Sequence, residues 1–123
     1  SKLANLLFTL ELNQQLVKIG SDVIATSAHP GWTVTGLQRG FLHTVSEVVG
    51  QRPYMGALPT LQAAIDPEAK RNDYFGLGGF MEMRGYPRKV ETSEAAKNTN
   101  LAKRLWDVSE ELTDVTYMWP MLA

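Results

Sequence analysis

Cysteine is absent from the 123 residues, so neither a disulfide nor a thiolate metal site can be built from this chain. That absence fits a reducing compartment, and the expected location is the cytoplasm. Histidine is almost as scarce, with only His29 and His43. His43 and Glu47 stand one helical turn apart, but two ligands do not close a metal site, and the pair reads as part of a solvated polar face. Charge of one sign is lacking too: 12 lysines and arginines stand against 13 aspartates and glutamates. The net charge of −1 gives no basic field, so nucleic acid and anionic membrane surfaces are not expected partners. No apolar run reaches the roughly 18–20 residues of a membrane span, and no signal-peptide pattern is read. Repeats, low-complexity tracts and charge blocks are missing, and with them any sign of a linker.

What is there is an ordinary globular composition, with 44% hydrophobic and 20% charged residues in a length suited to one domain. Residues 2–18 carry two apolar stripes at helical spacing. Leu3, Leu6, Leu7, Leu10 and Val17 form one, and Phe8, Leu12 and Leu16 the other. Such a helix is expected to be buried on two sides and to end at Gly20. Val23 to Ala28 follows as a short apolar run without alternation, the pattern of a strand covered on both faces of a parallel sheet. His29-Pro30-Gly31 stops it, and helix, glycine turn, strand and loop make the second half of a βαβ unit.

Further along, Phe41 to Val49 repeats the helical period, and "PYMGALPTLQAAID" predicts another helix with Tyr54, Leu58, Leu61 and Ile65 on its buried face. Pro59 costs that helix an internal hydrogen bond unless it lies in the first turn. "NDYFGLG" is a second strand, and "MEMRGYPRKVE" reads as loop. Thr92 or Ser93 caps a last helix whose buried stripe is Leu101, Leu105, Val108 and Leu112, with Trp106 in the core. The apolar ending "YMWPMLA" is expected to dock on the body or on a partner. Four helices and two strands are too little sheet to stand alone, so the rest of the sheet is expected from outside these residues.

The opening "SKLANLLFTLEL" puts Lys2 in the first turn of its helix, where the macrodipole disfavours a cation. It resembles the active-site helix of the short-chain dehydrogenases/reductases, in particular the retinol-dehydrogenase-like group, whose motif reads Tyr-x-x-Ser-Lys-x-Ala-Asn. "AHPGWTVTGLQ" is similar to that family's Pro-Gly-x-x-x-Thr segment after the next-to-last strand. "MGALPTLQAAIDP", "DYFG" and "LAKRLWDVSEELT" resemble the following helix, the last strand and the C-terminal helix. The segments fall in family order along nearly the whole chain.

The resemblance implies an α/β fold, the C-terminal part of a Rossmann-like doubly wound parallel sheet. Residues 1–123 would be the C-terminal half of a single oxidoreductase domain whose N-terminal cofactor-binding half is absent. The family's tyrosine would fall three residues before Ser1, so the chain by itself is expected to be inactive. "GLGGFM" does not replace the missing phosphate-binding turn. The implied activity is hydride transfer between NAD or NADP and a carbonyl/alcohol substrate, a small and lipophilic molecule.

By the same resemblance, Lys2 is the catalytic lysine. It would favour the phenolate of that tyrosine, one turn away on the same face, and bond the nicotinamide ribose. Pro30, Gly31, Thr33 and Thr35 would bind cofactor, although Thr33 stands where the family commonly has an aliphatic residue. Trp32 would face the substrate, and the first helix would serve a homodimer. The competing expectation is a non-catalytic half-domain that engages a partner through its sheet edge and leucine-rich helix.

Overall fold

Lys2–Lys18 form the first helix, α1, as the leucine period predicts, and Gly20 follows at φ +70°, a conformation that only glycine adopts without strain. The computed structural model describes residues 2–31, 53–78 and 86–119. The expected helix at 41–49 lies outside them. The remaining elements are β1 (Ser27–Ala28), α2 (Pro53–Ile65), β2 (Tyr74–Leu77), β3 (Pro87–Lys89), a 3-10 turn at Glu94–Lys97 and α3 (Thr99–Thr113). They fall into two units. One holds α1 with the chain through Ala25, Lys70–Asn72 and the residues from Thr92 onward; the other holds Thr26–Ala69 and Asp73–Glu91.

In the first unit α1 packs against α3 and the 3-10 turn. The two leucine stripes of α1 are only partly covered. Leu7 and Leu16 are buried, whereas Val17 is exposed. Its most deeply buried side chains are polar: Glu11 at 1% exposure and Asn13 at 2%. Glu11 accepts hydrogen bonds from Gln15 Nε2 (2.6 Å) and Gln14 Nε2 (3.4 Å), which compensates part of its desolvation.

The last helix differs from expectation at its start. Ser93 precedes the 3-10 turn but makes no side-chain cap bond, and Asn98 is the cap of α3, its Oδ1 accepting the Leu101 N–H at 3.0 Å. The buried face is rotated as well. Ala102 and Trp106 are buried, while Leu101, Val108 and Leu112 are exposed. Trp106 sets that rotation by stacking on Phe8 (5.1 Å between centroids) and meeting Tyr117 (5.0 Å). Trp119 extends the stack, 5.4 Å from Tyr117, so these two aromatics of the apolar ending pack within this unit.

In the second unit a three-stranded sheet in the order β1-β2-β3 packs against α2. β1 and β2 are parallel, with Ser27 opposite Tyr74 and Ala28 opposite Phe75. β3 is antiparallel to β2, with Phe75 opposite Lys89 and Leu77 opposite Pro87. This third strand lies in the stretch read as loop. A proline at its first residue and two cations after it disguise an edge strand, where a missing N–H and exposed charge are tolerated. Phe75 and Leu77 are fully buried and form the core of the unit.

The predicted inner face of α2 points outward: Tyr54, Leu61 and Ile65 are exposed, and Gly56 and Pro59 are buried instead. Pro59 does lie inside the helix, beyond its first turn. Small and compact residues let the helix approach the strands closely, and Thr26 Oγ1 bonds the Ala63 carbonyl at 3.2 Å.

Candidate functional site

The segment leading to β1 is shorter as a strand than its composition predicts. Val23 is 61% exposed and Ile24 39%, and the parallel ladder starts only at Ser27. Side chains occupy the preceding backbone. Asn13 Oδ1 accepts the Ala25 N–H (2.9 Å), and Asn13 Nδ2 donates to the Ala25 carbonyl (2.9 Å), to Thr9 O (3.0 Å) and to Asn72 Oδ1 (2.8 Å). Arg71 Nη2 donates to the carbonyls of Ser21 and Val23. These side chains satisfy the Ala25 N–H and the carbonyls of Ser21, Val23 and Ala25.

From Ser27 the backbone joins the sheet. Ser27 N–H bonds Asp73 O and His29 N–H bonds Phe75 O, both at 2.9 Å. The chain then leaves the C-terminal end of β1 through His29-Pro30-Gly31. In open α/β sheets, ligands bind beyond the C-terminal ends of parallel strands. Gly31 has φ +69°, and its N–H donates to His29 Nδ1 at 3.0 Å. Pro30 is exposed and Gly31 half-buried. Gly31 thus offers bare backbone, with no Cβ to obstruct a flat ring.

Lys2 is the first described residue of α1 and is exposed; it belongs to the first unit, whereas Pro30 and Gly31 belong to the second. Trp32, Thr33 and Thr35 lie outside the described residues. The sequence reading considers His29 only as a metal ligand; the structure places its ring nitrogen against the Gly31 N–H. The signal available was an acceptor side chain two residues before a glycine, the spacing of a side-chain-to-backbone turn. An open apolar groove of about 350 Å³ runs along Leu3, Leu7, Leu101, Leu105 and Val108 of the first unit. None of the expected site residues lines it.

No family model matches the chain. Individual proteins do: the chain is similar to short-chain dehydrogenases/reductases, in line with the resemblance of its opening motif. It is 30% identical to retinol dehydrogenase 14 of Mus musculus over 94% of its own length and 34% of that protein's. With retinol dehydrogenase 14 of Homo sapiens the identity is 32%, over 89% of this chain and 33% of that one. With the chloroplastic short-chain dehydrogenase TIC 32 B of Brassica napus it is 32%, over 93% and 35%. The chain therefore spans about a third of the length of these relatives. A crystal structure of an uncharacterized protein from Mycobacterium paratuberculosis shares the fold, with a TM-score of 0.73 and 34% identity over 97% of this chain and 39% of that one. The α/β architecture is that of a partial Rossmann-like domain.

Proposed function

We propose that these residues are the C-terminal half of an NAD- or NADP-dependent oxidoreductase acting on a carbonyl/alcohol pair, with a lipophilic substrate. The observation that carries the reading is the turn at Pro30-Gly31. It leaves the C-terminal end of a strand paired in parallel, and its glycine adopts a left-handed conformation and carries no side chain. The names of the relatives, retinol dehydrogenases among them, support the reaction class. A nicotinamide bound there would supply or accept the hydride.

The chain's own residues divide the remaining work. By the family motif, the Lys2 ammonium would donate hydrogen bonds to the ribose hydroxyls. Its positive charge would also favour ionisation of the motif's tyrosine one turn upstream, since a tyrosine hydroxyl ordinarily titrates near 10 and is a poor base at neutral pH. By the family resemblance, Pro30 and Gly31 would lie under the ring, Thr33 and Thr35 would bond its carboxamide, and Trp32 would face the substrate. The same proposal includes self-association through α1, supported by its exposed Val17 and partly covered leucines, and residence in the cytoplasm, supported by the cysteine-free sequence.

Lys2→Ala in the full-length protein tests this reading. The expected outcome is a loss of kcat of about a hundredfold or more, the scale of disabled proton transfer, with weaker dinucleotide binding. Turnover equal to the unaltered protein would remove Lys2 from the mechanism.

A further inference from the structure

We infer that His29 is a positioning residue for the cofactor loop: its Nδ1 accepts the Gly31 N–H and holds the glycine in the left-handed conformation that shapes the floor of the site. The inference rests on the oxidoreductase reading and assigns a role to a residue that reading leaves unused.

The hydrogen-bond inventory of the turn carries it. Three residues contribute two backbone N–H groups, because Pro30 has none. The first, of His29, bonds Phe75 O at 2.9 Å and is the last rung of the parallel ladder. The second, of Gly31, bonds His29 Nδ1 at 3.0 Å. The turn is thus pinned at its entry by β2 and at its exit by the imidazole. Between them, Pro30 fixes its own φ and biases His29 toward extended backbone. Gly31, at φ +69°, is the one position with wide conformational freedom, and it is the position the ring restrains.

The geometry is that of an Asx turn, in which a side-chain acceptor takes the N–H two residues on. Nδ1 of histidine and Oδ1 of asparagine are the same number of bonds from the backbone, so asparagine can replace the acceptor. With Nδ1 accepting, the neutral imidazole carries its hydrogen on Nε2. A turn fixed before ligand arrives avoids the ordering cost that a free glycine would add to binding.

The test compares His29→Phe, which keeps a flat ring without an acceptor, with His29→Asn, which keeps the acceptor without the ring. His29→Leu serves as a second acceptor-free variant if the phenyl group prevents folding. In the full-length protein, hydrogen exchange of the Gly31 amide and the Kd values for NADH and NADPH are measured, with thermal unfolding as a control for folding. The acceptor-free variant should exchange Gly31 faster and bind the preferred dinucleotide about tenfold more weakly, the worth of one hydrogen bond. His29→Asn should restore both toward the unaltered protein. Unchanged affinity without the acceptor, or equal losses in the acceptor-free variant and His29→Asn, would overturn the inference. Failure of the unaltered protein to bind either dinucleotide would instead overturn the oxidoreductase reading, and this inference with it.

Discussion

The sheet unit and α1 of the helical unit differ in what they bury most deeply. In the sheet unit the deepest residues are Phe75 and Leu77, on β2 and without a polar atom in their side chains. In the helical unit α1 buries Glu11 and Asn13 more completely than any of its leucines. Apolar burial stabilises without direction, whereas a buried polar group stabilises only in the arrangement that satisfies it. The sheet unit should therefore be sensitive to volume, and α1 to the identity of particular atoms.

The largest expected effect falls on the apolar side. Phe75→Ala empties a site of zero exposure between strand and helix and should cost about 3–5 kcal/mol in urea unfolding of the full-length protein. A loss below 1 kcal/mol would mean that the sheet unit is not held by its core. Next comes Asn13→Ala, which leaves the Ala25 N–H and the Asn72 side chain without a partner and should cost about 1–3 kcal/mol. A sharper version adds Asn13→Leu. If the polar atoms matter as argued, leucine restores volume but not stability; recovery with leucine would erase the contrast between the units.

The smallest effect is expected at the surface. The Lys89 ammonium bonds Asp73 Oδ2 at 2.8 Å and lies 5.9 Å from the Phe75 ring centroid. The hydrogen bond to Asp73 holds its pKa above the ordinary 10.5, against partial desolvation. A raised lysine contributes fully below the unfolded value and loses that contribution as pH climbs through the folded one. The Tm difference between the unaltered protein and Lys89→Met should therefore be small and constant near neutrality, and should close above about 10.5.

Elements whose signal is local were legible in the sequence. α1 follows from its leucine period, its end from Gly20, and β2 from a short apolar run closed by glycines. What escaped was decided by partners far along the chain. Val23 and Ile24 have strand composition, yet the ladder to β2 starts only at Ser27, and Asn13 and Arg71 bond the backbone of Ala25 and Val23. Pro87–Lys89 lacks strand composition and is drafted into the sheet by Leu77 and Phe75. On α3, leucine spacing named the wrong face because Trp106, larger than any leucine, turns toward Phe8.

The site divides in the same way. The order and spacing of whole segments propose Lys2, Pro30 and Gly31 as site residues. The His29 turn is not legible in that way, because it depends on a ring nitrogen meeting an amide two residues away.

The aromatic stack also makes the molecule optically addressable. Of the three tryptophans in these residues, Trp106 and Trp119 sit in one aromatic group with Tyr117, so their emission reports on the helical unit. Replacing both with phenylalanine would leave Trp32 as the one tryptophan of these 123 residues, one position beyond Gly31 in the sequence. Reduced nicotinamide absorbs where indole emits, so under the proposed reading Trp32 would report arrival of the dinucleotide by energy transfer.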